Sequence, residues 1–466
     1  MVTQNCKFSS LELSLNAKHR IYSPVDLASK GRCMLKSKSS PMQTRRLLYL
    51  GNAFPPGISG LFPESQPAGH LIETSLVSSL GSHFDIRSVG ISRVDVDRIT
   101  TRLASSPGLP NQLNLVDRRP ELWSRWRSLR RLQLTYRRWL DDGWSPDWIV
   151  VCNFSPVYNA FIRRIARNTK RPCLVLYMAD STLLDVPLPP FKRLRYRLKP
   201  FKWLDNEMAD LYDACVAVSA ETEARFQKRG IPWLWLPNGI DPKRIRSQTE
   251  VPVTDPITFG YFGHAGDHTG IHHLLKLFTA RPRPARLKVS CFGKARTQLA
   301  QQYAQAKNIS FHGPFDPDGC VAFGTSCDVL INPRPRLPEN RNNFPSKVFE
   351  YALTGRAILS NQLSGAGSIL GAHAYYFDAD DYQASLGRML DLLAATPRAE
   401  LHRRGAELQR HVLREYSWDI QGRRLASFLE GCLNPRPNAL QRPLSAVPAD
   451  LPRLESSSSY KLRDLR

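Results

Sequence analysis

The segment NNFPSKVFEY, at 342–351, carries side chains that suit a phosphorylated ligand. Pro345 favours the first position of a helix, because its missing N–H has no intrahelical partner there. Amide groups of the first turn would then receive phosphate oxygens, with Ser346 beside them and Lys347 adding positive charge. Glu350 lies four residues beyond Ser346 on the same helix face, where its carboxylate can accept two hydroxyl groups of a ribose. A surface salt bridge between Lys347 and Glu350 is the plainer alternative.

Two glycine-containing loops follow predicted strands and could approach the same ligand. The loop at 260–270, GYFGHAGDHTG, places His264 and Thr269 where a diphosphate or a sugar would arrive. The long loop at 51–69 contains Gly60 and precedes a helix predicted at about 70–80, which would aim its N-terminus at the ligand. It contains neither a Walker pattern nor GxGxxG, and structural turns with solvated histidines remain the alternative interpretation.

Short apolar runs alternate with helical patterns, as is typical of parallel sheets covered by helices on both faces. The predicted strands are 46–51, 84–91, 147–154, 173–178, 215–219 and 233–237, and then 257–263, 287–293, 309–313, 328–333, 357–360 and 374–377. The series restarts after the turn-rich PNGIDP. We therefore expect an α/β fold of two doubly wound domains facing each other across a cleft, where a ligand would bind.

The composition indicates a folded chain with an anionic partner. The 466 residues are 42% apolar, and their formal net charge of +24 fits a nucleotide, a phospholipid surface, a nucleic acid or an acidic polysaccharide. No run approaches the ~18 apolar residues of a spanning helix. The nine cysteines are odd in number, form no CxxC pair and fall partly inside predicted strands, which favours a reducing compartment, and we predict the cytoplasm.

Both ends of the chain read as extensions. Residues 1–43 lack sustained periodicity and are predicted to be disordered, although a targeting peptide, or a start codon placed too early ahead of Met42, would also fit. Residues 433–466 are rich in Pro and Ser and read as a disordered, solvated tail.

Two basic segments lie in the first half. From Arg118 to Arg138 there are eight arginines and one acid, and from Lys192 to Lys202 there are six basic residues and no acid. On a helical wheel the first segment separates an apolar stripe from an arginine face. The stripe consists of Leu122, Trp126, Leu129, Leu132, Tyr136 and Leu140, and the face of Arg127, Arg130, Arg131, Arg137 and Arg138. An anionic membrane could bind such a face, or the stripe could simply face the core.

With strand, loop and helix assembled, the chain resembles the retaining GT-B glycosyltransferases of family four, over about residues 46–429. The resemblance lies in VAVSAETEARFQKRGIPWLWLPNGIDP at 216–242 and NNFPSKVFEYALTGRAILS at 342–360. It implies two Rossmann-like domains, an N-terminal acceptor-binding one at 44–240 and a C-terminal donor-binding one at 241–416. A helix at 417–432 would cross back to the first domain.

The resemblance also implies roles for individual residues. Family members have two glutamates separated by seven residues; Glu350 matches the second, which holds the donor ribose, and the first falls on Asn342, which carries no charge. Asn343 and Phe344 lie inside the same donor-binding signature. Asp180 follows a strand at the place where the family often has a substrate-contacting residue.

The family's diphosphate-binding Arg and Lys have no counterpart here, and their places are filled by His264 and Thr269. Lys347, Lys294, Arg334 or Arg336 could supply the missing charge.

The predicted activity is transfer of a sugar from a nucleotide-diphosphate-sugar donor to a glycan or lipid-linked acceptor, with retention of anomeric configuration. Asp180, Asn342 and Lys347 are the predicted catalytic residues. The donor is a substrate, so we expect no cofactor, and positive groups rather than a metal would stabilise the departing diphosphate. Hinge motion near 237–241 would close the cleft. The alternatives are a GT-B relative that binds sugar nucleotides with weak or no transfer and, because of the charge, a nucleic-acid-binding protein.

Overall fold

The computed structural model describes residues 44–53, 67–92, 112–116, 122–179, 205–219, 226–227, 230–245, 256–280, 282–293, 295–337, 340 and 344–433. Contacts between residues group Thr44–Arg466 into one compact unit. The other unit, Met1–Gln43, lies outside the described residues, as does 434–466. Leu433, counted with the tail in the sequence, is the last residue of a helix.

Seven parallel strands form the first sheet, in the order β3-β2-β1-β4-β5-β6-β7. They are β1 Arg46–Gly51, β2 Asp85–Ser92, β3 Gln112–Val116, β4 Trp148–Cys152, β5 Cys173–Met178, β6 Ala214–Ala217 and β7 Trp233–Trp235. We call this sheet with its helices the first lobe. The strand order reverses between β1 and β4, so a crevice opens beyond the carboxyl ends of these two strands.

Six parallel strands form the second sheet, in the order β10-β9-β8-β11-β12-β13. They are β8 Ile257–His264, β9 Ala285–Phe292, β10 Ile309–His312, β11 Val329–Ile331, β12 Ala357–Ser360 and β13 Tyr375–Tyr376. In this second lobe the order reverses between β8 and β11. The two predicted series of strands are therefore confirmed, and the restart separates the two sheets.

Helices cover both sheets. The α-helices are α1 Pro67–Leu80, α2 Leu122–Asp141, α3 Pro156–Ile165, α4 Asp205–Ala209, α5 Ile271–Ala280, α6 Arg296–Gln302, α7 Pro317–Thr325, α8 Lys347–Leu353, α9 Ala366–Leu370, α10 Tyr382–Ala394, α11 Arg398–Tyr416 and α12 Trp418–Leu433. Short 3₁₀ turns lie at Pro242–Arg244, Asp267–Thr269, Leu363–Gly365 and Gly371–His373.

The central strands are buried on both faces, which explains their continuous apolar sequences. In β1, Leu47 and Tyr49 join one hydrophobic cluster, whereas Leu48 and Leu50 join another on the opposite face. Because side chains alternate along a strand, a one-residue shift of register would exchange these two sets. The alternation therefore fixes which side chains of β1 pack against the helices on each face of the sheet.

Two chain segments connect the lobes, and they pair with each other. Ile240 N donates to Tyr416 O at 2.9 Å, and Trp418 N donates to Ile240 O at 3.0 Å. Helix α12 then packs on α1, where Ser79 Oγ donates to Trp418 O at 2.8 Å. Near its other end, Trp148 Nε1 of β4 donates to Leu429 O at 2.9 Å. The last helix is thus attached to the first lobe at both ends.

Helix α2 corrects one expectation about the basic segment. Leu129, Leu132 and Tyr136 are buried as expected, but the rest of the predicted stripe is not. Leu122, Trp126 and Leu140 are 44%, 55% and 40% exposed. The reason is geometric, because at 100° per residue the three buried side chains lie along one edge of the stripe and the three exposed ones along the other, and Leu122 and Leu140 also lie at the ends of the helix.

Seven cysteines lie among the described residues, and all are free thiols: Cys152, Cys173, Cys215, Cys291, Cys320, Cys327 and Cys432. In the part of the chain that the structure covers, no helix is long and apolar enough to span a lipid bilayer. The second basic segment, from Lys192 to Lys202, lies outside that part.

Candidate functional site

The candidate site lies where the strand order of the second sheet reverses. His264 ends β8, and Arg334 lies three residues beyond the end of β11. Because these neighbouring parallel strands end at the same edge of the sheet, they bring both basic side chains to the mouth of the crevice. Lys347, at the beginning of α8, reaches the same place, since it lies close to Tyr261 and Gly263 of β8.

Lys347 is a buried amine. Its Nζ donates to Tyr261 Oη at 2.8 Å and lies 4.5 Å from the centre of the Tyr261 ring. Burial, followed by the charge of Arg334, lowers the pKa of Lys347 to about 7. Gly263 has a φ of 144°, and a Cβ there would overlap the Lys347 side chain. Glycine at 263 therefore creates the space in which this lysine lies.

Burial also lowers the pKa values of Arg334 and His264. Burial lowers the pKa of Arg334 to about 10. For His264, burial and then the charge of Lys347 lower the pKa below its usual value. The His264 ring stacks on His268 with centroids 5.4 Å apart, and its Nδ1 is buried without a hydrogen-bond partner. An unsatisfied ring nitrogen beside two other basic side chains is a ready donor, once protonated, to an anion entering the crevice.

Glu350 lies one turn deeper in α8 and is half-buried. Burial raises its pKa, while the charges of Arg244 and then Lys347 oppose the rise. No Lys347–Glu350 ion pair forms, since Lys347 donates to Tyr261 instead. The surface-bridge alternative for Glu350 is therefore wrong.

Glu350 faces a small cavity between the lobes. Residues from both lobes line it, including Leu71 and Ser75 of α1, Asn238 of the connection and Ser346 beside α8. Its volume is about 30 Å³. Such a space admits about one water molecule, whereas small-molecule sites usually enclose ~300–1,000 Å³. A sugar ring therefore does not fit this cavity in its present size.

The beginning of α8 differs from the sequence expectation. The helix begins at Lys347 rather than Pro345 and has seven residues. The amides of Ser346, Val348 and Phe349 already donate to Phe344 O, Pro345 O and Ser346 O. This first turn is tight, with one i→i−2 bond and two i→i−3 bonds that use amides expected to hold phosphate. Side chains rather than these amides must bind an anion here.

Other predicted site residues have structural contacts. Thr269 is buried, and its hydroxyl donates to Gly266 O at 2.6 Å. Phe344 is buried against Phe349 with ring centroids 5.5 Å apart. Ser346 lines the small cavity beside Glu350, and Arg336 forms an ion pair with Asp380 at 3.2 Å. Donor contacts by Thr269, Phe344 and Ser346 stay predictions. Four predicted site residues, and the alternative cation Lys294, lie outside the described residues: Gly60, Asp180, Asn342, Asn343 and Lys294.

The first lobe contributes polar residues that the sequence did not reveal. Glu73 of α1 is 6% exposed, accepts from Asn52 N at 2.6 Å and from Tyr49 Oη at 3.0 Å, and so holds the end of β1. His70 Nδ1 lies 2.9 Å from Asn52 O. An acid on the buried 73, 76, 77 and 80 face of a helix was the available signal for Glu73.

Asn153 marks the end of β4 at the reversal point of the first sheet. Its φ of 56° is uncommon for a residue with a side chain. Its Oδ1 accepts from Ala179 N at 3.0 Å, immediately before the predicted Asp180. Asn153 therefore fixes the chain that leads to Asp180.

Chemically, the second lobe presents three basic side chains around a crevice and a carboxylate behind them. Such a set suits an anion joined to a polyhydroxyl group, because cations stabilise phosphate oxygens and a carboxylate accepts from hydroxyl donors. Among the described residues, no group of three or more His, Cys, Asp or Glu side chains has the arrangement of a metal site.

Comparison with known proteins finds no family model that matches this chain. A stretch of 132 residues is 23% identical to a protein of Bacillus subtilis (strain 168) named as a putative teichuronic acid biosynthesis glycosyltransferase, TuaH. The match covers 28% of this chain and 32% of that protein. The chain thus matches about a third of the length of this curated relative.

Solved structures resemble the chain over most of its length. Anabaena HepE, crystallised with UDP and glucose, has a TM-score of 0.56 at 14% identity and covers 83% of this chain and 100% of its own. Sucrose-phosphate synthase from Thermosynechococcus elongatus has a TM-score of 0.61 at 13% identity and covers 84% and 99%. A trehalose 6-phosphate synthase from Burkholderia multivorans has a TM-score of 0.55 at 12% identity and covers 84% and 99%. The chain has the GT-B fold, with two Rossmann-like sheets, as the sequence predicted.

Proposed function

We propose that this protein is a glycosyltransferase that binds a nucleoside-diphosphate sugar between its lobes and transfers the sugar to a glycan or lipid-linked acceptor. The observation that carries the proposal is the convergence of Lys347, Arg334 and His264 at the reversal point of the second sheet, with Glu350 behind them. Burial disfavours the charged forms of these basic side chains, and a diphosphate would favour those charged forms by supplying the opposite charge.

A uridine nucleotide is the first donor to test. HepE, one of the structures that resemble this chain, was crystallised with UDP and with UDP-glucose. In our proposal the diphosphate lies against Lys347, Arg334 and His264, and the ribose hydroxyls bind Glu350. Gly60, Thr269, Asn343, Phe344 and Ser346 keep their predicted donor contacts.

Catalysis would depend on stabilising the leaving diphosphate. Negative charge grows on the diphosphate as the glycosidic bond breaks, and fixed positive groups in a desolvated cleft stabilise that charge more than water does. Lys347 becomes protonated when the diphosphate arrives, since the added negative charge favours the ammonium form. Asn342 would bind the transferred sugar, and Asp180, the residue after the Ala179 that Asn153 holds, would face the acceptor.

Retention of configuration without a metal ion belongs to the proposal because 342–360 resembles the family-four signature. We place the reaction in the cytoplasm, where the free thiols would stay reduced. The acceptor would approach from the first lobe, whose reversal point carries Asn52, His70 and Asn153.

A second candidate, sugar-nucleotide binding without transfer, is favoured by one observation. The amides of Ser346, Val348 and Phe349 are engaged with neighbouring carbonyl groups and cannot also stabilise a leaving phosphate. The two candidates share the donor site and differ in turnover.

Thermal shift with a panel of nucleoside diphosphates and their sugars tests the donor site first, because a ligand that binds only the folded state raises the melting temperature. The selected donor is then incubated with the protein, and nucleoside diphosphate release is followed by chromatography. We expect a uridine nucleotide to stabilise the protein and its sugar to be consumed. Binding without consumption, with glycan and lipid acceptors supplied, would support the second candidate, and no shift from any nucleotide would refute both.

A further inference from the structure

One face of α2 exposes large apolar side chains among arginines. Trp123, Trp126 and Leu134 are 84%, 55% and 53% exposed. The arginines at 127, 130, 137 and 138 are also exposed and lie at spacings of three, four or seven residues from these side chains. Residues so spaced share one side of a helix. We call these seven residues the Trp–Arg face.

The described core of the first lobe packs on the side of α2 opposite the Trp–Arg face. The opposite side of α2 buries Leu129, Leu132 and Tyr136. Tyr136 packs edge-on against Phe161 of α3, with ring centroids 5.3 Å apart. Packing therefore already accounts for the apolar residues on the inner side. On the outer side two tryptophans and a leucine keep half or more of their surface exposed, where a solvated helix would place polar residues.

Helix α2 is strongly basic. Six arginines lie in Leu122–Asp141, and the helix contains one acid, Asp141, at its C-terminal end. Tryptophan prefers the boundary between water and hydrocarbon because its ring is apolar and its N–H is polar. Arginine can extend its guanidinium to phosphate groups while its stem covers apolar surface. Both preferences are met at the headgroup level of an anionic bilayer.

We propose that the Trp–Arg face of α2 binds the surface of an anionic bilayer, with Trp123, Trp126 and Leu134 inserted among the headgroups and the arginines on lipid phosphates. The helix would lie in the plane of the interface, as amphipathic basic helices do. Single-stranded nucleic acid also pairs arginine with stacked aromatic rings. It offers no partner for the aliphatic Leu134 or for Leu122, which is 44% exposed, so the bilayer fits the face better.

Sedimentation with vesicles tests the proposal on the full chain. The vesicles are equimolar phosphatidylglycerol and phosphatidylcholine, with phosphatidylcholine alone as the uncharged comparison. One variant is Trp123→Ser/Trp126→Ser, and another is Arg127→Gln/Arg130→Gln. The matched controls change equally exposed residues of the second lobe. They are Leu392→Ser, at a side chain 56% exposed, and Lys276→Gln/Arg410→Gln, which removes two charges elsewhere.

The parent should sediment with the anionic vesicles and not with the uncharged ones. Each α2 variant should lower the vesicle partition coefficient by about thirtyfold, the scale expected for removing two interfacial arginines or comparable apolar contact. The controls should match the parent. Circular dichroism and nucleotide thermal shift on the same samples separate this inference from the proposed function, because the Trp–Arg face includes no donor-site residue.

Equal sedimentation of the parent and both α2 variants would overturn the proposal. So would a parent that does not sediment with anionic vesicles. Binding of the parent to single-stranded DNA that both variants lose, without vesicle binding, would overturn it in favour of nucleic acid. Loss of sedimentation in the arginine variant alone would also overturn it, since the tryptophans would then not insert.

Discussion

At the residue scale, Lys347 is the group whose protonation should respond most to a ligand. Its pKa is lowered to about 7 in the free protein, mainly by burial. A bound diphosphate would raise that pKa, so above pH 7 the complex holds more protons than the free protein. Affinity for the diphosphate should then fall as pH rises, by up to about tenfold per unit.

Calorimetric titration in buffers of different ionisation enthalpy would detect the proton taken up on binding. Lys347→Arg should keep most of the affinity and lose the pH dependence above pH 7, because an arginine stays protonated there. Lys347→Gln should bind weakly at every pH. If the affinity of the parent stayed constant as pH rose above 7, Lys347 would not contact the diphosphate.

Glu350 makes a prediction about the ribose. Glu350→Ala should weaken nucleoside diphosphate binding by ~1.5–3 kcal/mol, the usual range for hydrogen bonds to a charged group. The effect should depend on the sugar hydroxyl. The parent should therefore bind a 2′-deoxy nucleotide less well than the ribonucleotide, whereas Glu350→Ala should bind the two nucleotides with equal affinity. Glu430→Ala, at an exposed acid of α12, is the control. If the losses of affinity from Glu350→Ala and from removal of the 2′-hydroxyl were additive, Glu350 would not contact that hydroxyl.

At the element scale, the connection between the lobes depends on a close contact at Gly239. A Cβ there would lie 2.7 Å from Trp418 Cδ2, nearer than side chains approach one another. Gly239→Ala should therefore lower the free energy of unfolding by ~1–3 kcal/mol, the usual range for overpacking. Denaturant titration measures this change. If the contact is the cause, Gly239→Ala should cost less in a Trp418→Leu background than in the parent, and an equal cost would place the strain elsewhere.

Strand prediction succeeded because parallel strands are buried on both faces. Their sequences are continuous apolar runs, so β1, β5 and β12 were predicted with the bounds that the structure gives. Strand β3, Gln112–Val116, was missed because it lies at the sheet edge and alternates polar with apolar residues. Edge strands carry less of the apolar signal.

The candidate site was predictable where local sequence determines the geometry. Lys347 and Glu350 share one helix, and His264 ends a predicted strand. Local sequence could not show that Lys347 donates to Tyr261, because 86 residues separate them and strand order brings them together. It also could not show that the first-turn amides are occupied, since that depends on where the helix begins.

At the scale of the whole molecule, the lobes should unfold together. Helix α12 hydrogen-bonds the first lobe through Ser79 and Trp148, and the connections at Ile240 and Ser417 are paired. Calorimetry should show one transition, and a nucleotide at a hundred times its Kd should stabilise the whole unit by about 2.7 kcal/mol. At the same nucleotide concentration, the melting temperature of Glu350→Ala should rise less than that of the parent. Two transitions, with only one moved by nucleotide, would contradict this coupling.

The most direct test of the central claim is a crystal structure of the protein with the nucleoside diphosphate that the thermal-shift panel selects. We predict diphosphate oxygens within hydrogen-bond distance of Lys347 Nζ and close to Arg334 and His264, with ribose hydroxyls on Glu350 and the cavity between the lobes enlarged to hold them. A nucleotide bound elsewhere, or one that leaves Lys347 on Tyr261 and Glu350 in its small cavity, would contradict the proposed donor site.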